Sequence, residues 1–164
     1  MKIEELLARE GIRHTLERYV SAVDRNRYAE LSEVFTSGGI IIFGPTARYE
    51  GHAEIIARMT ENARNRNTDS EENFQRHFLA QPMINIIDGD HARVATYLFV
   101  ASELGFDTSG VYLDKFTRVD DRWLIAERRA NLEWGRPDSR SVKNFKPAPT
   151  PKHMLDIGFA PSDG

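Results

Sequence analysis

The stretch LERYVSAVDRNRYAELSEVF, Leu16–Phe35, decides how the rest of the chain reads. Leu16, Tyr19, Val20 and Val23 recur at three- and four-residue steps, so they share one face of a helix. Asp24 stands one step further, at the C-terminal edge of that apolar face. Arg25, Asn26 and Arg27 then read as a polar turn, and Tyr28, Leu31, Val34 and Phe35 as a short second helix closed by Thr36, Ser37, Gly38 and Gly39. A carboxylate placed as Asp24 is disfavoured by desolvation and by the negative end of the helix dipole, so it requires a partner. The candidate partner is His77, far along the chain.

Upstream, Ile3, Leu6, Leu7 and Ile12 extend the helical pattern, with a soft spot at Gly11, which predicts one long helix or two in series. Downstream, Ile40–Phe43 is a β-branched run too short for a helix and ended by Gly44 and Pro45, hence a strand with Arg48–Glu50 as its hairpin mate. Gly51 opens a third helix in which Ile55, Ile56 and Met59 face inward. Asn62–Asn73 is almost free of apolar side chains and reads as a mobile surface loop.

Beyond it the period becomes strand-like. Gln75–Asp88 predicts a long strand with Pro82 at a bulge or edge position, and Gly89 and Asp90 the turn that follows. Ala92–Leu104 returns with Val94, Thr96, Leu98 and Val100 on one face and Arg93, Ala95, Tyr97, Phe99 and Ala101 on the other. Gly110–Val119 and Arg122–Trp134 are two more strands, joined at Asp120 and Asp121. Helices first and an antiparallel meander last predict an α+β domain, a curved and mostly antiparallel sheet wrapped over N-terminal helices. After Gly135 five prolines exclude a long helix, yet Phe145, Met154, Leu155, Ile157 and Phe159 are too apolar for a solvated tail. The expectation is a domain over residues 1–135 and a Pro-rich tail, 136–164, that packs on it or on a neighbouring subunit.

A length of 164 residues suits one domain with its own core, and 40% hydrophobic with 29% charged residues is ordinary for a globular chain. A net charge of -3, with basic residues scattered among acids, gives no electrostatic case for nucleic acid. The absence of cysteine excludes disulfides and thiolate metal sites and favours a reducing compartment. MKIEELLARE is charged from its start, unlike a secretory signal, and no run reaches membrane-spanning length, so a cytoplasmic protein without membrane contact is expected. The remaining histidines, His14, His52, His91 and His153, lack ligand spacing with acids, so no metal is expected.

The motifs RYVSAVDRNRYAELSEVF, Gly51 at a helix start, QRHFLAQPMINIIDGDHARV and LDKFTRVDDRWLIAERR, in this order, resemble the SnoaL-like group of the nuclear transport factor 2-like superfamily over roughly residues 5–135. The resemblance implies a cone-shaped α+β barrel with a pocket between sheet and helices. It also implies roles: Asp24 and His77 fall where bile-acid 7α-dehydratase and hexachlorocyclohexane dehydrochlorinase pair an aspartate with a histidine. Tyr19 falls where the former has a catalytic tyrosine. Against scytalone dehydratase, active-site tyrosines are replaced by Val23 and Phe43, a second histidine by about Ser102 and an asparagine by about Tyr112, so that reaction is not expected. A late-strand arginine used by some lyases of the group has no clear counterpart: Leu132 or Glu133 stands near it, with Arg128, Arg129 and Arg136 to either side.

Imidazole titrates near neutrality, which suits His77 to removing a proton beside a carbonyl or leaving group. Asp24 would fix its tautomer and stabilise the imidazolium. The plainer alternative is a packed barrel histidine, with Asp24 paired to Arg25 or Arg27. The catalytic candidates are Asp24, His77 and Tyr19; the substrate-binding candidates are Tyr28, Phe43, Tyr97, Tyr112 and Asn131. The expected function is a cofactor-free lyase or isomerase acting on a small, apolar, cyclic substrate. The alternatives are a polyketide cyclase-type enzyme and a non-catalytic ligand-binding or assembly module. The exposed face of such a sheet requires cover, so a homodimer or homotrimer is expected.

Overall fold

The computed structural model describes residues 2–67, 72–144 and 146–158, with Asn144 described by its backbone alone. Within them lie three α-helices, α1 (Ile3–Asp24), α2 (Gly51–Arg66) and the single turn α3 (Lys152–Leu155). Seven strands accompany them: β1 (Phe35–Phe43), β2 (Ala47–Glu50), β3 (Gln75–Leu79), β4 (Met83–Ile86), β5 (His91–Ser102), β6 (Gly105–Val119) and β7 (Arg122–Gly135). They form one curved, unclosed sheet in the order β2-β1-β7-β6-β5-β3, with β4 also pairing β5. This is the α+β class read from the sequence.

α1 is one helix. Gly11 is what lets it lie close to the sheet: a Cβ there would stand 2.9 Å from the Trp123 ring. Its inward face starts at Ile12, and Ile3, Leu6 and Leu7 remain exposed, because the sheet beneath does not reach the first turns. α2 packs on β1, and the core between helices and sheet is built from Leu16, Tyr19, Val34, Ile41, Ile55 and Phe116 among others.

Several expectations are corrected. The short second helix is a 3-10 helix over Tyr28–Glu33, and Phe35–Gly39 belong to β1. β1 runs parallel to β7 and carries a register irregularity between Phe35 and Ile40 that absorbs the glycines. Asn62–Arg66 is not loop but the last turn of α2, with Asn62 and Ala63 buried; the cavity wall supplies a setting for polar side chains that a loop reading overlooks. Of the rest of that stretch, residues 68–71 lie outside the described residues. Gln75–Asp88 is two strands, since Pro82 interrupts the pairing and β3 and β4 each bind β5 separately. The β6–β7 turn is as read, with Asp120 and Asp121 both left-handed (φ 47° and 62°).

The tail returns to the sheet. Ala148 N–H donates to Leu132 O, Thr150 N–H to Glu133 Oε1, and Asn85 Nδ2 on β4 to the carbonyls of Ile157 and Gly158. It therefore passes from β7 across β6 and β5 to β4. Phe145 and Phe159, expected to join it, lie outside the described residues. Among the described residues no helix is long and apolar enough to cross a membrane.

Candidate active site

Asp24 closes α1 because Asn26 takes a left-handed conformation (φ 56°) and turns the chain, with Arg27 N–H returning to Ala22 O. His77 sits on β3, which among the described residues pairs with β5 alone and so leaves an edge. The Asp24 carboxylate fills that edge. It accepts the His77 backbone N–H at 3.1 and 3.2 Å and holds the ring Nδ1 at 2.6 Å. Arg76 Nη1 donates to Asp24 O and fixes the helix end to the strand. The two side chains are only 10% and 12% exposed. Arg27 pairs with Glu30, and among the described residues neither Arg25 nor Arg27 forms an ion pair with Asp24.

With Nδ1–H given to the carboxylate, the neutral ring keeps its lone pair on Nε2. That tautomer is assigned from the bonding pattern. The imidazole borders a cavity of about 790 Å³ between helices and sheet, whose walls include Tyr19, Val23, Tyr28, Phe43, Tyr112 and Asn131. On the other side of the dyad, a groove of about 880 Å³ follows the α1–β3 seam. Among the described residues no phenylalanine, tyrosine or tryptophan lines that groove, so the more apolar, aromatic cavity is the better reaction chamber.

Of the other sequence candidates, Tyr19, Tyr28, Phe43, Tyr112 and Asn131 all line the cavity. Tyr97 does not: strand alternation sends it out on the convex face with Phe99, and it is 43% exposed. Tyr28 donates to Asn26 Oδ1 and Asn131 to Thr150 Oγ1, so each also braces the wall it forms. The tail lines the chamber through Ala148, Pro149, Thr150 and Met154, and Gln75 Nε2 on β3 donates to Ser141 Oγ across the rim. Gly110 lines the same wall, where a Cβ would fall 2.1 Å from Asn131 O; the bulge there has room only for glycine.

Beneath Tyr19 and Tyr112 lies a group that sequence reasoning leaves unassigned. Arg128 is fully buried, donates to Asp114 from Nε and Nη2 at 2.8 and 2.6 Å, and stacks 4.1 Å from the centroid of each tyrosine ring. Burial works against its charge, but Asp114 and the two rings more than offset that and hold the guanidinium above its ordinary value. Burial likewise pushes the Tyr112 phenol well above its usual range, so it stays protonated. A second omission is a stripe on α2, Arg58, Asn62 and Arg66, all lining the cavity. Their four-residue spacing is the signal that could have found them.

Residues 4–129 match the SnoaL-like domain. The chain belongs to that family. No curated protein matches the sequence. Among solved structures, the SnoaL-like chain is similar to a putative scytalone dehydratase from Novosphingobium aromaticivorans, with 18% identity over 83% of this chain and 91% of that one, TM-score 0.72. It is also similar to hexachlorocyclohexane dehydrochlorinase LinA-type3 from Novosphingobium barchaimii, with 13% identity over 82% and 92%, TM-score 0.70. A variant of Rv3472 from Mycobacterium tuberculosis, of unknown function, gives 21% identity over 98% and 96%, TM-score 0.72. At these identities the likeness is one of fold, and others of the similar structures carry the description cystatin-like.

Proposed function

We propose that this SnoaL-like protein is a lyase or isomerase whose reaction begins with proton removal by His77. The observation that carries the reading is the 2.6 Å contact of Nδ1 with Asp24 beside an imidazole that borders a largely apolar cavity. Nε2 takes a proton from a carbon next to an electron-withdrawing group, and Asp24 stabilises the imidazolium that forms. The C–H electron pair becomes a double bond and expels a β-substituent. Tyr19 donates to the departing oxygen or to the activating carbonyl. If the proton is returned to another carbon, the outcome is isomerisation. A polyketide-type cyclisation uses the same first step, with the carbanion attacking an internal carbonyl. The chemistry asks only for an imidazole, a carboxylate and a phenol, and we place it in the cytoplasm.

Proton abstraction can be read without the natural substrate. Small cyclic ketones in deuterated water should exchange their α-protons faster with the protein than without it, followed by NMR. His77→Gln and Asp24→Asn should each remove that acceleration; exchange at the wild-type rate in either variant sinks the assignment.

The convex face supports self-association. Phe78 stacks on Phe99 (4.7 Å between ring centroids), Phe99 meets Phe106 edge-on (5.6 Å), and Phe106 stacks on Trp134 (5.0 Å). All four are exposed, an apolar strip running across β3, β5, β6 and β7. We read it as the seat of a homodimer or homotrimer, with residues 1–135 as the domain and 136–164 as its tail. Phe99→Glu should then shift the sedimentation mass to the monomer, and a wild-type monomer at micromolar concentration would dismiss the reading.

A further inference from the structure

The charge of the cavity wall limits what the chamber holds. Arg58, Arg66, Arg129 and Lys146 line it together with His77, and among the described residues no aspartate or glutamate does. The chain as a whole is acidic, with a net charge of -3, so this is not the overflow of a basic composition. Arg58 is already engaged, with Nη1 on Glu61 at 2.8 Å and its guanidinium over the Tyr49 ring. Arg66 is not. Its Nε is buried with no hydrogen-bond partner, and it has no ion pair or ring contact among the described residues. Asp107, which shares a small crevice with Arg66, is taken up by Ser139 and Ser102. One turn back on α2, Asn62 is 3% exposed, lines the same cavity, and has no side-chain hydrogen bond among the described residues.

A desolvated cation without a counter-ion is costly, and folding alone gives no reason to keep one. Burial pulls Arg66 below its ordinary value and no carboxylate among the described residues pulls it back, the reverse of Arg128. A guanidinium beside an amide, on the ridge formed by a four-residue step, matches a planar carboxylate that accepts two N–H bonds. The remaining wall, with Phe43, Leu98 and Val100, suits an apolar body. We propose that the chamber accepts an apolar organic acid as its carboxylate, anchored by Arg66 and Asn62. The acid would be the substrate of the His77 dyad, so the assignment rests on that cavity being the reaction chamber.

Three acid and amide pairs of increasing size test it by calorimetry: cinnamate with cinnamamide, 1-naphthylacetate with 1-naphthylacetamide, and abietate with its amide. At least one acid should bind roughly 10- to 100-fold more tightly than its amide, the range expected of a charge-assisted pair. Arg66→Gln should erase that preference by weakening the acid far more than the amide, while Arg66→Lys keeps part of it. Ligand-free Arg66→Gln should melt at or above the wild-type temperature, since no ion-pair partner among the described residues is lost. If no acid outbinds its amide, or if the preference survives in Arg66→Gln, the anchor is wrong. His77→Gln runs in parallel and should keep the preference for acid over amide, whatever its absolute affinity. Loss of exchange chemistry in that variant therefore reports on the dyad alone, and loss of acid preference in Arg66→Gln on the anchor alone.

Discussion

Of the aspartates in this fold that meet a basic partner, Asp114 and Asp24 do so in opposite ways. Asp114 and Arg128 are both 0% exposed, joined by two hydrogen bonds, and roofed by the rings of Tyr19 and Tyr112. Asp24 and His77 meet at a helix end and a sheet edge, retain 10% and 12% exposure, and border a cavity. The first base cannot release its proton near neutral pH, and its pair is sealed on every side; it can hold the structure and nothing more. The second leaves one ring nitrogen over for a ligand. Chemistry is decided by an unspent atom that reaches the cavity, not by the presence of a buried ion pair; the Nη1 that Arg128 keeps without a hydrogen bond among the described residues is sealed in the core. The two are also linked, because Tyr19 rests on Arg128 from one side and lines the cavity from the other.

The comparison breaks if the two pairs respond alike to mutation. His77→Gln and Asp24→Asn should lower the exchange rate by about 10² to 10⁴, the span usual for a positioned general base. Their stability should fall by only ~1–2 kcal/mol, because the hydrogen bonds lost are few and one side of the pair stays hydrated. Arg128→Met should do the reverse, costing about 3–5 kcal/mol by leaving Asp114 buried without its counter-ion. Pairing it with Asp114→Leu should restore most of that. Urea unfolding of the single and double variants measures both numbers. If Arg128→Met melts like the wild type, the buried pair is not a brace.

Much of this is legible in the sequence. The apolar steps of Leu16–Val23 place Asp24 at the edge of a buried face, and an acid there needs a partner; the strand alternation of Ala92–Leu104 gives both faces of β5 correctly. What stays hidden depends on contacts distant in sequence. Phe35–Gly39 looks like a helix end because its strand partner, β7, lies some ninety residues on and pairs in parallel, which leaves no hairpin signal. Arg128 looks like one basic residue among several, since its acid is on the neighbouring strand. Asn62 and Arg66 are polar and so read as loop, although they continue the stripe begun at Arg58. Tyr97 reads as a substrate contact by residue type, even though its own alternation points it outward.

The smallest effect concerns the roof of the sealed pair. Burial, with the neighbouring Tyr19 phenol, holds Tyr112 above the ordinary tyrosine value of 10.0. The unfolded chain releases that proton near pH 10 and the native state retains it, so above pH 10 the native state binds more protons than the unfolded one. Stability must therefore fall as pH rises past about 10, through the interval up to the native value. A spectrophotometric titration of the 5 tyrosines should show Tyr112 silent in the reversible phase and ionising only with unfolding. Tyr112→Phe should leave the reversible amplitude unchanged and remove one tyrosine from the later step. An early phase that shrinks in Tyr112→Phe would show the ring to be reachable by solvent, and the roof over Arg128 would then be open after all.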